Sequence, residues 1–139
     1  MKLFVLDTNV YVYYLQNNLS TLSSIVNKLF NLFDEGQCIF YVPTICFWEI
    51  NRKIITDRIT FGKLNSHEAI QLANKTIDNT PNFRDLPLTR RAASLAPTFS
   101  NILQDPFDQL IVASALDANL PLITKDINIQ KSGLVKTVW

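Results

Sequence analysis

Four acidic residues stand beside apolar segments of this chain, where an unpaired carboxylate would cost several kcal/mol. Asp7 directly follows the apolar run "KLFVL", and Asp126 follows "PLIT" by two residues. Glu49 and Asp108 lie in the first turns of two segments with helical patterns. In an open parallel sheet, the ends of strands and the starts of helices converge on one edge, where ligands bind. We therefore expect the four carboxylates to meet there.

Four carboxylates at one edge repel each other unless cations lie between them or their pKa values are raised. Mg²⁺ suits such a set, because it takes oxygen ligands from one or two carboxylates, waters and phosphate oxygens. One or two such ions would polarise a phosphodiester, generate a hydroxide nucleophile and stabilise the leaving oxygen. The pattern predicts metal-dependent hydrolysis of phosphodiester bonds.

Each acid also has a purely structural explanation. Asp7 can cap the following helix, Asp108 is favoured by the dipole of its helix, and Asp126 can end a strand. Glu49 can pair with Lys53 one helical turn later. The functional interpretation is favoured because all four fall at the predicted edge. Four other acids do not, namely Asp34, Asp57, Asp78 and Asp85.

The elements that must position these acids alternate between strand-length apolar runs and longer segments of helical period. This is typical of an α/β domain with a mainly parallel central sheet. Strands are predicted at 2–6, 38–42 and 120–124, with an extended piece at 83–88 and 134–139 closing the sheet at its edge. Helices are predicted from 8, over 20–36, from 44, over 65–79, over 89–96 and from 106.

Several helix starts carry recognisable capping residues. Thr44 is a candidate cap, and Asn65 followed by Glu68 forms a capping-box pattern. Asp105 and Pro106 stand where a cap and a first helical residue belong. One apolar stripe marks the helix over 20–36, formed by Leu22, Ile25, Val26, Leu29 and Phe33.

Composition narrows the function classes. The 139 residues, 47% of them apolar, predict one globular domain spanning 1–139. The net charge of +1 excludes a uniformly basic nucleic-acid binder but permits a basic patch. Two cysteines and a single histidine argue against a disulfide framework, histidine-rich zinc sites and two-histidine catalysis. No apolar run is long enough to span a bilayer, so we expect a soluble protein, and the cysteine usage favours the reducing cytoplasm.

The order and spacing of several segments resemble the PIN-domain ribonucleases of the toxin type found in type II toxin–antitoxin pairs. The segments are "FVLDTNVYVYYL", "VPTICFWEINRK", "ITFGKL", "LPLT", "ILQDPFDQLIVASAL" and "LPLITKD", and together they cover nearly the whole chain. The resemblance implies that the catalytic acids, which hold Mg²⁺ or Mn²⁺, are Asp7, Glu49, Asp108 and Asp126. It also implies that Asn9 and Thr124 support them.

The resemblance further implies a three-layer α/β/α fold and cleavage of RNA that leaves a 5′-phosphate and a 3′-hydroxyl. It implies a homodimer that is neutralised by a cognate antitoxin, whose C-terminal segment lies across the acidic groove. DNA would be reached only indirectly, through the DNA-binding part of the antitoxin.

The chain departs from this pattern beside the site. Many relatives have a His-Arg pair before Asp-Pro-Phe-Asp-Arg, whereas this chain has Leu103 and Gln104 before it and Gln109 at its end. The loss of positive charge would affect binding of the substrate or the antitoxin rather than the metal ligands. Asp105 is interpreted as a helix cap, with a supporting role at the site as the second interpretation.

Basic and aromatic residues near the groove bear on RNA binding. Phosphate contacts could come from Arg52, Lys53 and Lys125, with Arg58 and Lys63 as further candidates, although such residues are usually solvated surface. The neighbouring aromatic residues are interpreted as core or dimer surface rather than as base-stacking platforms. They are Tyr11, Tyr13, Tyr14, Phe47 and Trp48.

Three other functions compete with metal-dependent RNA cleavage. A phosphotransferase with an Asp nucleophile would need a second acid two residues later, where this chain has Asn9. A receiver domain would need paired acids after its first strand, and Asp7 stands alone. The stronger alternative is a PIN-like binding module that has little catalytic activity and acts through an antitoxin and DNA.

Overall fold

Five parallel strands form one sheet at the centre of the computed structural model, which describes residues 1–139. The strands are β1 (Lys2–Leu6), β2 (Cys38–Pro43), β3 (Phe83–Leu86), β4 (Leu122–Ile123) and β5 (Thr137–Val138). Their spatial order is β3-β2-β1-β4-β5. The prediction of an α/β fold with a parallel sheet is confirmed, and the C-terminal segment does close the sheet at its edge.

Seven α-helices connect the strands. They are α1 (Thr8–Leu15), α2 (Ser24–Asp34), α3 (Thr44–Ile55), α4 (Ser66–Asn79), α5 (Arg90–Leu95), α6 (Pro106–Asp117) and α7 (Ile127–Ser132). Short 3₁₀ turns precede α2 and follow α5. None of the helices combines the length and the hydrophobicity needed to cross a bilayer.

Helices cover both faces of the sheet. Val5 and Leu6 follow each other in β1 and are both fully buried, and successive strand residues point to opposite faces. One cluster of 32 buried apolar residues includes side chains from strands and helices along the chain. Within it, the Phe33 ring lies 4.8 Å from that of Phe40 and 4.5 Å from that of Phe83. The arrangement is the predicted three-layer α/β/α sandwich.

The prediction of one continuous helix over 20–36 is wrong at its start. The chain makes a 3₁₀ turn over Leu19–Thr21, and α2 begins only at Ser24. The reason is local, because Ser23 is extended and its side chain accepts a hydrogen bond from the Val26 amide (3.2 Å). Ile25, predicted on the buried stripe, is exposed.

Of the candidate caps Thr44, Asn65 and Asp105, the last two are confirmed. Asn65 and Glu68 form the expected capping box, and Asp105 caps α6 by accepting from the Phe107 amide (2.8 Å). Thr44 is not a cap: Pro43 holds that position, and the Thr44 hydroxyl accepts a hydrogen bond from the Leu88 amide instead. The strand predicted at 120–124 has only two residues in the ladder, because the amide at 120 closes the end of α6.

Candidate active site

The sheet reverses its direction of strand addition between β1 and β4. After β1 the chain adds β2 and then β3 on one side, and it returns to place β4 on the other side of β1. In open α/β sheets, ligands bind at such a switch point, beyond the carboxyl ends of the strands. Asp7 lies at the end of β1 and Asp126 just beyond β4, so both predicted acids flank this point.

Asp7 is held at the bottom of this crevice by two hydrogen bonds. One carboxylate oxygen accepts from the Thr8 amide and the other accepts from the Thr124 hydroxyl, each at 2.7 Å. Only 7% of the residue is exposed. Burial raises the pKa of Asp7 from 3.8 to about 6, against the lowering effect of the two hydrogen bonds, while Glu49 and Asp126 raise it further. Asp7 therefore caps α1 and also places a poorly solvated carboxylate at the crevice.

Thr124 connects the two acids at the switch point. Its hydroxyl donates to Asp7 and accepts from the Asp126 amide (3.0 Å), and the residue is completely buried. Asp126 in turn caps α7 through the Ile129 amide (3.0 Å). The structure thus places Thr124 in direct contact with Asp7, whereas Asn9, the other expected supporting residue, is exposed in the first turn of α1.

Asp108 and Glu49 reach the same region from two helices. Burial is the largest cause of a rise in the Asp108 pKa from 3.8 to about 7, and the negative charges of Asp105, Asp7, Asp126 and Glu49 add to it. Glu49, on α3, is half-buried and forms an ion pair with Lys53 one turn later (3.8 Å). We call Asp7, Glu49, Asp108 and Asp126 the acidic cluster.

The acidic cluster supplies oxygen donors suited to a hard divalent cation. Glu49 and Asp126 lie close enough to raise the pKa values of Asp7 and Asp108, as expected where a cation would relieve repulsion. In the present arrangement, no three acidic, cysteine or histidine side chains converge tightly enough to enclose an ion. The Glu49 side chain pairs with Lys53 instead. The donor chemistry therefore fits a cation, and the side-chain conformations do not yet form a closed site.

Two depressions lie on either side of Asp105, which lines both. The acidic depression is further lined by Ile102, Leu103, Gln104, Asp108, Asp126 and Asn128. The basic depression is further lined by Glu49, Arg52, Lys53, Arg58, Pro106 and Phe107. A wider depression at the end of α1 contains none of the acidic cluster and is lined by residues such as Gln16, Phe61 and Leu72.

The predicted basic residues are divided between two sides of the site. Arg52, Lys53 and Arg58 share the basic depression. Lys125 is exposed between Thr124 and Asp126, and its ammonium lies 5.9 Å from the centre of the Tyr13 ring. Lys63 is exposed in the loop whose neighbouring residues line the wider depression, and it lines neither the acidic nor the basic depression.

The departures from the family pattern have structural roles. Leu103 is buried in the core, and the Gln109 side chain donates to the Leu103 carbonyl (2.6 Å), which ties the loop before α6 to the helix. Gln104 is exposed in the acidic depression. Asn128 also lines the acidic depression, although the sequence analysis does not predict it. Its position two residues after Asp126, in the first turn of α7, is the feature that could have identified it.

The buried carboxyl groups predict a pH-dependent stability. We expect the metal-free protein to lose stability as the pH rises from about 4 to about 7. The folded state holds a proton on Asp7 up to about pH 6, whereas the unfolded chain releases it near 3.8. This contribution is about 3 kcal/mol when fully present, below the unfolded pKa, and Asp108 acts with the same sign.

Urea unfolding with chelator present, at about pH 4.5 and about pH 8, measures this effect. The Asp7→Asn variant is the matched control and should show a weaker pH dependence. Equal free energies of unfolding at the two pH values would contradict the prediction.

The fold has counterparts among known proteins. A model of the PIN domain family matches residues 4–133. VapBC2 from Rickettsia felis, bound to a DNA fragment from its promoter, is similar with a TM-score of 0.70 and 14% identity, over 98% of this chain and 97% of that chain. DNA-bound VapBC from Salmonella typhimurium gives a TM-score of 0.70 and 16% identity, over 99% and 98%.

A third similar structure is VapBC-5 from Mycobacterium tuberculosis, a member of the VapBC family of toxin–antitoxin systems. It has a TM-score of 0.57 and 16% identity, over 99% of this chain and 98% of that chain. At these identities the similarity is one of fold. No curated protein matches the sequence significantly.

Proposed function

This chain belongs to the PIN domain family, and we propose that it is a Mg²⁺- or Mn²⁺-dependent endoribonuclease that acts as the toxin of a toxin–antitoxin pair. The observation that carries the proposal is the environment of Asp7. A buried carboxylate, held by Thr124 at the switch point, lies within the electrostatic influence of Glu49 and Asp126. Binding of a cation in such a crevice would relieve the electrostatic repulsion between the carboxylates.

The acidic cluster would hold the cation. When bound, a cation of this kind polarises the scissile phosphodiester and supplies an activated water. The protein contributes the orientation of the ligands, because Thr124 and the Thr8 amide fix both oxygens of Asp7. Helices α3 and α6 bring Glu49 and Asp108 to the same region, and the four side chains would have to move closer together to enclose a cation.

RNA is the proposed substrate because basic side chains adjoin the acids. Arg52, Lys53 and Arg58 share one depression with Glu49, and Lys125 is exposed next to Asp126. Phosphate groups bind such side chains without any need for a large net charge. These residues are proposed to position the backbone of the RNA across the acidic cluster, with Asn9 and Asp105 as supporting residues.

We further propose a cognate antitoxin as partner. The similar proteins from Rickettsia felis and Salmonella typhimurium are VapBC complexes bound to DNA. By analogy, this chain would form a homodimer, pair with an antitoxin and reach DNA only through it. Its two cysteines are free and buried, in keeping with action in the reducing cytoplasm.

Cleavage of RNA by the purified, partner-free protein tests this function. A panel of end-labelled transfer, ribosomal and messenger RNAs is incubated with the protein and Mg²⁺ or Mn²⁺. We expect fragments that carry a 5′-phosphate and a 3′-hydroxyl. Intact RNA throughout the panel, with a protein shown to be folded, would contradict the proposal.

A binding module with little catalytic activity is the second candidate. The pairing of Glu49 with Lys53, and the absence of a converged set of three ligands, are the observations that favour it. The same cleavage experiment separates the two functions, because a binding module would retain RNA or antitoxin affinity without producing fragments.

A further inference from the structure

Trp48 is unusually exposed for an indole side chain beside a candidate active site. It lies on α3 directly before Glu49, and 55% of its surface is accessible. Its ring stacks on that of Phe107, with the centroids 5.1 Å apart and an angle of 28° between the planes. Phe107 directly precedes Asp108 on α6. Each partner of this aromatic pair is therefore the chain neighbour of a member of the acidic cluster.

Basic side chains lie beside the aromatic pair. Phe107 lines the basic depression together with Arg52, Lys53 and Arg58. The guanidinium carbon of Arg52 lies 5.6 Å from the centre of the Trp48 ring. Because Lys53 is paired with Glu49, the two arginines are the positive charges of this depression that remain available to a ligand. An exposed aromatic face beside available cations matches the chemistry of a nucleotide, which has a flat base and an anionic phosphate.

We propose that Trp48, Phe107 and Arg52 form a base platform, on which an unpaired base of the RNA stacks while arginine contacts an adjacent phosphate. The inference deepens the proposed function and rests on it. It differs from the interpretation of Trp48 as core or dimer surface: the exposure of the ring contradicts a core position, and the surrounding arginines favour a polyanionic ligand.

A base can displace Arg52 from the indole because base stacking on an aromatic ring is stronger than an exposed cation–π contact. A cation over an exposed aromatic ring is worth only about a 2- to 5-fold change in an equilibrium constant. A base stacked on an aromatic side chain is worth roughly 5- to 150-fold in affinity. The base therefore replaces the guanidinium on the ring, and the freed Arg52 is within reach of the phosphate backbone. Bases in a duplex have their faces covered by neighbours, so the platform selects single strands or loops.

RNA binding in the presence of chelator tests the platform, because it requires no cleavage. The probes are a short single-stranded RNA, the same sequence as a blunt duplex, and a version with abasic riboses. We expect Trp48→Ala to weaken binding of the single strand by roughly 5- to 150-fold and to leave binding of the abasic probe unchanged. Trp48→Phe keeps a ring and should recover most of the affinity. Trp139→Phe, which changes the other tryptophan, is the matched control.

Fluorescence gives a readout that leaves Trp48 itself unchanged. In the Trp139→Phe protein, Trp48 is the single indole, and its emission should be quenched by the single strand and not by the abasic probe. Unchanged emission, or equal single-strand affinity of Trp48→Ala and wild type, would overturn the inference. So would light scattering that shows Trp48→Ala converting a dimer into a monomer, because Trp48 would then lie in a protein interface.

The outcomes also separate this inference from the proposed function. If the protein binds the single strand in a Trp48-dependent manner but never cuts RNA, the base platform is supported and the nuclease proposal is contradicted. If the protein cuts RNA and the Trp48→Ala variant binds the single strand as tightly as wild type, the nuclease proposal is supported and the base platform is contradicted.

Discussion

Replacement of Asp7 by Asn is expected to reduce the rate of RNA cleavage by at least about a hundredfold. Loss of a residue that only supports a metal ligand typically costs 10- to 100-fold, and Asp7 is proposed to be a ligand itself. The substitution removes the negative charge at the switch point and retains the size of the side chain. Single-turnover cleavage with saturating Mg²⁺ or Mn²⁺ measures the effect on the chemical step.

The Asp7→Asn variant should fold, for reasons visible in its surroundings. The amide oxygen can accept the hydrogen bond of the Thr8 amide, and the amide nitrogen can donate to the Thr124 hydroxyl, which has a lone pair to spare. The substitution also removes a desolvated charge, whose burial raises the pKa of Asp7 to about 6. We therefore expect the metal-free variant to be at least as stable as wild type near neutral pH.

Asp78→Asn is the matched control for this substitution. Asp78 is exposed in the last turn of α4 and does not belong to the acidic cluster. The same chemical change there should leave cleavage unaltered. Full activity of Asp7→Asn, or an equal loss in both variants, would remove Asp7 from the proposed site.

Removal of divalent metal is expected to stop cleavage, with a loss of at least about a thousandfold. A metal ion stabilises the charge that develops in the transition state by several kcal/mol and also activates the attacking water. The basic residues beside the acids can share the first task but not the second. The single histidine of this chain, His67, is exposed on α4 and hydrogen-bonded to Gln71. The measurement is cleavage after treatment with chelator, followed by readdition of Mg²⁺ or Mn²⁺.

Recovery of activity on readdition distinguishes a required metal from damage by the chelator. RNA binding in chelator is the accompanying control, because the basic depression should still attract the phosphate backbone. Cleavage that continues at the same rate in chelator would end the metal-dependent mechanism. It would leave the fold and the family membership untouched.

Most of the fold was predictable because the signals are local. Apolar runs of strand length, separated by segments of helical period, predicted an α/β fold with a parallel sheet. Capping residues placed the starts of α4 and α6 correctly, since Asn65 and Asp105 act within one turn of the helix they begin. The start of α2 was missed because Ser23 and the preceding 3₁₀ turn compete locally with a longer helix.

The sequence predicts which acids approach each other, but not the conformations of their side chains. An acid directly after a buried strand, or in the first turn of a helix, is visible in the sequence, and parallel topology sends all such positions to one edge. Whether Glu49 turns toward the other acids or toward Lys53 depends on distances between neighbouring side chains. The same holds for Trp48, whose exposure depends on how closely α6 packs against α3.

The sequence alone determined the parallel α/β architecture, the edge that carries the acids and the resemblance to the PIN family. These features follow from hydrophobic period, chain order and capping, which act over a few residues each. Tertiary structure alone decided that Thr124 holds Asp7, that Asp105 separates an acidic from a basic depression, and that Trp48 stays exposed. Those relationships join residues far apart in the chain, and their energies depend on burial and distance, which appear only when the helices pack around the sheet.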